Sequence, residues 1–253
     1  MSLLPDRSWQ PIYESQPTQS GSYLVDQFYV PALQRSVRYD RVAGYFSSSA
    51  LAVAAKGIHA LVENDGEMRL IVGAELYETD RSVLEALTDE LGGSLDELGG
   101  SLDELDDEQL DARLQLLAYL LREDRLTIKV AVPRQGNWGI FHPKVGIFHD
   151  SGENTLSFEG SVNETAGGWE RNYERFKVHR SWNDGQRAYV EGDIETFSRL
   201  WANEHPYVEV YDLPDAIENQ LIDWKSPDSN TAVDDALRIA RGEAPPTERD
   251  KAN

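Results

Sequence analysis

The sequence predicts an α/β fold in which helices sandwich a mixed β-sheet. Three observations carry this reading. Short runs of strand character alternate along the chain with amphipathic helical segments, the pattern of a layered α/β domain. Hydrophobic residues make up 40% of the 253 positions, with 6 Trp and 11 Tyr, enough for a sizeable core. No apolar stretch approaches the roughly 20 residues that a membrane span requires.

The elements follow in chain order. Residues 1–20 carry Pro, Gln and Ser without periodicity and read as an extended N-terminal arm. "YLVDQFYVPALQRSV" (23–37) reads as a helix interrupted by proline. Residues 39–66 read as a strand, a Gly-aromatic-Ser turn and an Ala-rich helix, with Ser47 or Ser48 as N-cap. "MRLIVGAEL" (68–76) is a buried strand, and a helix is expected to follow through about Leu91. "ELGGSLD" at 90–96 recurs at 97–103, and its Gly pairs oppose a continuous helix. That stretch reads as a solvated insertion or a strained helical arm. It opens an acidic helical insertion over 90–124, whose second part, 107–124, is a clear amphipathic helix. "RLTIKVAVP" (125–133) is a strand. "GIFHPKVGIFHD" (139–150) alternates as a strand and pairs with "NTLSFEG" (154–160) through a hairpin turn. A strand over 173–182, a long helix over 184–203 and a closing strand, "VEVYDLP", complete a domain spanning 21–213. Residues 214–253 read as a C-terminal helix and a polar tail.

Composition narrows the setting. There is no cysteine, which excludes disulfides and thiolate metal sites. The N-terminus lacks the basic and apolar regions of a signal peptide, so a cytoplasmic location is expected, with no membrane partner. The net charge is −21, from 45 acidic against 24 basic residues, and only six of the basic ones are Lys. An acidic, Lys-poor surface suits molar salt, where charges are screened within about 3 Å. Halophilic adaptation is the reading; an ordinary acidic protein is the alternative.

The chemistry concentrates in 142–174. On a strand, residues two apart face one side, so His142 and Lys144 project together. Gly146 follows on that face and leaves room for an approaching group. A titratable ring beside a fixed cation suits a phosphate diester: Lys144 neutralises non-bridging oxygens while His142 attacks phosphorus or protonates the leaving oxygen. The next strand delivers "GSVN". Gly160 permits close approach of backbone to ligand, and Ser161 and Asn163 offer donors to the same oxygens. Glu174 can orient the imidazole. Arg171 and Arg175 flank the site as candidate contacts to a nucleic-acid backbone, paired surface arginines being the alternative. His149 and His179 read as strand residues rather than ligands, and no metal site is expected.

"HPK…GSVNETAGGWERNYE" resembles the His-x-Lys…Gly-Ser-x-Asn signature of the phospholipase D superfamily, and most nearly its single-motif nucleases. The resemblance implies a phospholipase D-like nuclease domain. It places His142 on the reacting histidine, Lys144 on the phosphate-binding lysine, and Ser161 and Asn163 on the phosphate-contacting pair. Asn172, Glu174 and Thr165 also fall on family positions. The family's Asp, five residues after the Lys, is here His149, with Asp150 one later. The expected function is a metal-independent DNA endonuclease working through a phosphohistidine, without cofactor. A single motif implies a homodimer with one shared site. The segments 39–76 and 172–201 look like the module that precedes the motor of prokaryotic defence helicases. No Walker A pattern occurs in the chain. Restriction or phage defence is therefore the expected setting, with a helicase or methyltransferase as candidate partner. The rival reading is a non-catalytic DNA-binding or docking module of such a helicase.

Overall fold

The computed structural model describes residues 2–16, 22–47, 49–76, 117, 119–121, 123–134 and 140–213. Its frame is one eight-stranded sheet. The strands are β1 (Ile12–Glu14), β2 (Arg38–Phe46), β3 (Glu67–Leu76), β4 (Leu126–Pro133), β5 (Val145–His149), β6 (Thr155–Gly160), β7 (Arg175–Arg180) and β8 (Val208–Asp212). They lie in the order β1-β7-β6-β5-β2-β3-β4-β8. β2, β3 and β4 run parallel, and every other pairing is antiparallel. The sheet is mixed, as the alternating pattern predicts.

Helices cover both faces. On one face, α1 (Val30–Leu33), α2 (Ser49–Val53) and α3 (Ala55–Glu63) close the larger core. Its centre is aromatic: Phe28, Tyr29, Tyr39, Phe148, Phe158, Trp169 and Phe176 are all fully or almost fully buried. On the other face, α4 (Arg187–Trp201) lays Phe197 and Leu200 against Val42, Ile71, Ala131, Ile147 and Val210. Among the described residues, no helix is long and apolar enough to cross a membrane.

Several elements differ from the sequence reading, each for a physical reason. Residues 2–16 of the expected arm pack onto the domain: Leu4, Trp9 and Tyr13 are buried, and β1 pairs with β7. A three-residue strand is too short to show a period. Pro31 does not interrupt its helix; a π-helical turn, Val25–Tyr29, runs directly into α1. Proline leaves the carbonyl four residues back without its helical donor, and Arg7 Nη2 donates to that Gln27 oxygen at 3.0 Å. The expected turn at Gly44-Tyr45-Phe46 is instead the end of β2, with a register shift between Ala43 and Tyr45. The strand expected from 139 begins only at Val145. Pro143 cannot donate to a ladder, which delays pairing. Residues 117 and 119–121 are helical, as expected there. The duplication at 90–103, the helix expected through Leu91 and the segment 214–253 lie outside the described residues.

Candidate active site

β2 ends where β5 begins, because the two are antiparallel and Val42 pairs with Val145. The candidate residues gather at this end of the sheet, the carboxyl end of the parallel strands, a usual place for an α/β site. Four segments contribute: the end of β2, the chain entering β5, the loop leaving β6, and the residues entering β7.

His142 is exposed and lies against Gly44 of β2. A Cβ on Gly44 would stand 2.6 Å from His142 Cδ2, so only glycine admits the ring in this place. The Tyr45 ring meets the imidazole edge-on, 5.9 Å away at 86°. Lys144 is 8% exposed and turns its ammonium back on His142. Nζ lies 3.0 Å from Nδ1 and 2.9 Å from Nε2, and donates to the His142 carbonyl at 3.2 Å. The two distances are nearly equal, so the ammonium is not aimed along the in-plane lone pair of either nitrogen. Burial and the Arg41 guanidinium lower the proton affinity of Lys144, and Glu174 opposes them.

The second half of the site is built on a carboxylate. Glu174 is 7% exposed. It accepts hydrogen bonds from Ser161 Oγ and, at 3.3 Å, from Asn172 Nδ2. Ser161 Oγ also accepts from the Arg175 amide at 3.1 Å. Ser15, just beyond β1, fastens this segment: its Oγ donates to the Asn172 carbonyl at 2.9 Å and accepts from the Glu174 amide at 2.9 Å. Asn163 Oδ1 accepts from the Tyr45 amide at 3.3 Å, which orients its side chain from β2.

Beneath these residues lies a network that the sequence did not disclose. Glu164, fully buried, accepts from Arg41 Nε at 2.9 Å and from the Tyr39 hydroxyl at 3.2 Å. It also accepts from the Tyr29 hydroxyl. Arg41 is itself fully buried, reaches the Val162 carbonyl and stacks over Phe158 at 4.9 Å. Burying one charge alone is costly, so the pair stands or falls together. The desolvated tyrosines have their hydroxyl pKa values raised well above the usual range by burial first and then by the Glu164 charge, so they act as donors.

The structure brings together His142 with Lys144, and Ser161 and Asn172 with Glu174. Other candidates take different places. The clearance at Gly160 is used by β7: a Cβ there would meet the Arg175 carbonyl at 2.3 Å. The clearance at Gly146 is filled by the Phe158 ring, at 2.1 Å from such a Cβ. Neither opening faces a ligand. Thr165 Oγ1 accepts from the Gly168 amide at 3.0 Å and caps the π-helical turn Gly167–Arg171. Arg171 ends that turn and is exposed. Asp150 organises the β5–β6 hairpin, accepting from the Gly152, Asn154 and Leu4 amides at 2.8–2.9 Å. His149 sits at the far end of β5, with Nε2 3.1 Å from Asp40. Gly44 and Glu164 are the residues that the sequence reading missed. Gly44 had a signal, a glycine placed directly before an aromatic residue at a strand end.

No protein-family model matches the chain, and no curated protein matches it by sequence. Solved structures do match. Nuc from Salmonella typhimurium, a phospholipase D family member, is 14% identical with a TM-score of 0.41, over 76% of this chain and 92% of that one. Polyphosphate kinase from Porphyromonas gingivalis is 9% identical with a TM-score of 0.43, over 79% of this chain and 24% of that one. Yeast tyrosyl-DNA phosphodiesterase is 10% identical with a TM-score of 0.34, over 58% of this chain and 26% of that one. This chain thus spans about a quarter of each of the last two. What it is similar to is one phospholipase D family member over most of both lengths, and a part of two larger proteins.

Proposed function

We propose that this chain is a phospholipase D-like phosphodiesterase that cleaves DNA without a metal ion. One observation carries the reading: the Lys144 ammonium lies within 3.0 Å of both ring nitrogens of His142. Glu174, which holds Ser161, acts on that ammonium from the neighbouring segment. A nucleophile, a fixed cation and neutral donors are what an in-line attack on a phosphodiester needs.

In the first step, the His142 lone pair attacks phosphorus. The P–N bond forms as the P–O bond to the leaving nucleoside breaks. Lys144, Ser161 and Asn163 hold the non-bridging oxygens, supplying charge stabilisation that a metal would otherwise give. The leaving oxygen takes a proton from a second histidine. With one His-x-Lys motif per chain, that histidine is His142 of a second copy, so the working form is a homodimer. Water then attacks phosphorus, gives its proton to the same second ring, and releases His142. Glu174 fixes Ser161 and Asn172 and balances Lys144. Arg171 contributes to the DNA backbone contact. A cytoplasmic restriction or phage-defence system with a helicase or methyltransferase partner is the setting this reading implies.

The test is cleavage of a labelled DNA by the purified chain in molar salt and excess EDTA. Retained cleavage that His142→Ala abolishes, with an acid-labile phosphoenzyme in the wild type, is the expected result. DNA binding without cleavage would favour a docking module. Cleavage lost to chelator and restored by Mg²⁺ would refute the metal-free mechanism.

A further inference from the structure

Glu164 follows the Gly-Ser-x-Asn run directly, yet its side chain turns away from the site into the core. Its backbone and side chain engage two other segments. The Glu164 amide donates to the Tyr45 carbonyl at 3.2 Å, and its carbonyl accepts from the Ser47 amide at 2.9 Å, which bridges the loop to the end of β2. Its carboxylate takes Arg41 from β2 and Tyr39 from the same strand, and Tyr29 from the π-helical turn ahead of α1. Arg41 in turn reaches the Val162 carbonyl inside the loop.

Arg41 also has a place relative to Lys144. In the ladder it pairs with Gly146, and Lys144 precedes Gly146 by two residues, on the same side of the chain. The guanidinium therefore occupies the row beneath the ammonium. Arg41 Nη1 is buried without a hydrogen-bond partner, so its positive charge is answered chiefly by the carboxylate of Glu164.

We propose that Glu164 is a positioning residue of the site: it fixes the loop that presents Ser161 and Asn163, and it neutralises the Arg41 guanidinium that faces Lys144. This rests on the reading that Lys144 holds the phosphate. Desolvation and Arg41 are the two influences that lower the proton affinity of Lys144, and Glu174 alone opposes them. The groups facing Lys144 are Arg41 from β2, Glu174 from the chain entering β7, and His142 on its own segment. Those facing Arg41 are Glu164, Tyr29 and Tyr39. Removing the Glu164 charge leaves Arg41 unanswered and works on Lys144 in the direction that discharges it.

The experiment reads the lysine directly. The six lysines of the chain are reductively ¹³C-methylated, and the Lys144 signal is identified by its loss in Lys144→Arg. Glu164→Gln keeps the shape and the acceptor for the tyrosine hydroxyls but removes the charge. The Lys144 midpoint is expected to fall by about one unit or more, the usual effect of an uncompensated like charge nearby, while Lys56 and Lys177 stay in place. The alkaline limb of the DNA-cleavage profile is expected to move by the same amount. Arg41→Met combined with Glu164→Gln removes both charges and is expected to return the midpoint to its wild-type value or above. A folded Glu164→Gln protein with an unshifted Lys144 overturns the proposal. So does failure of both variants to fold, which would make Glu164 a core element only. A shifted midpoint in a protein that cleaves nothing refutes the nuclease reading and leaves this one standing.

Discussion

Gly44→Ala adds one methyl group, and the structure says where it goes. The new Cβ would lie 2.6 Å from His142 Cδ2, 3.3 Å from its Cα and 3.4 Å from Cγ. Carbon atoms rest about 3.5–4.0 Å apart, so the imidazole must retreat by about 1 Å. It can do so cheaply, because His142 is exposed and the chain before β5 is not in the ladder. The stability cost is therefore expected at or below the ~1 kcal/mol lower end for overpacked sites. Reactivity has no such freedom. A reacting group misplaced by about 1 Å costs about 10²-fold in rate, equivalent to ~2.7 kcal/mol of barrier. The assay is single-turnover cleavage of a labelled oligonucleotide at saturating enzyme, with DNA affinity from anisotropy and Tm from circular dichroism. The expected outcome is unchanged affinity, a Tm within a few degrees and a rate down by about two orders of magnitude. A rate within threefold of wild type would show that the ring's position against β2 does not matter.

Three further outcomes are expected. Glu174→Gln should lower the cleavage rate by about 10²-fold, within the range of acid–base and positioning effects. It should also move the alkaline limb to lower pH, because Glu174 supports the charge on Lys144; a shift to higher pH would contradict this. Asp40 is held below the ordinary carboxylate range: burial pushes it up, but hydrogen bonds from His149 and Arg69 outweigh burial. A depressed folded pKa gives stability that is present above the unfolded value of about 3.9 and lost as pH falls through the folded one. Asp40→Asn should thus destabilise by about 3–5 kcal/mol at neutral pH, with the difference shrinking in urea melts below about pH 4; a pH-independent difference would sink the assignment. Asp150→Ala should lower Tm while leaving the rate per folded molecule unchanged, since Asp150 ties the hairpin and Leu4 rather than the site. A selective rate loss would return it to the chemistry.

Among the parallel strands, β3 was legible as a nearly continuous apolar run, "MRLIVGAEL", the mark of a strand covered on both faces, whereas β4, "LTIKVAVP", was legible from its alternation. Of the candidate residues, His142 and Lys144 were paired by strand spacing, and Ser161, Asn172 and Glu174 by the motif resemblance, and the structure brings each of these sets together. The role of a small residue was not legible. Gly146 and Gly160 announce missing side chains, but local sequence does not say which neighbour uses the space. Phe158 and the Arg175–Phe176 backbone do. Asp150 and His149 could not be sorted by the motif; the hairpin amides and Asp40 sort them. Arg41 and Glu164 lie 123 positions apart, and each alone reads as an ordinary surface charge. Their pairing depends on β2 lying beside β5 and on the loop after β6 returning to the end of β2, which is tertiary information.

The fastening of Glu174 by Ser15 has a consequence for the order of events on the ribosome. The two residues are 159 positions apart. At 5–20 residues per second, the strand carrying Ser15 is made about 10–30 s ahead of its partner. For that interval Tyr13 has no Phe176 to stack on, and Glu14 has no Arg175 opposite. The His-x-Lys segment emerges earlier than residues 172–174, so His142 and Lys144 are made before the carboxylate that acts on the lysine. The pairing of β1 with β7 joins the first strand made to the seventh, and until it closes the segment that carries Glu174 lacks its fastening.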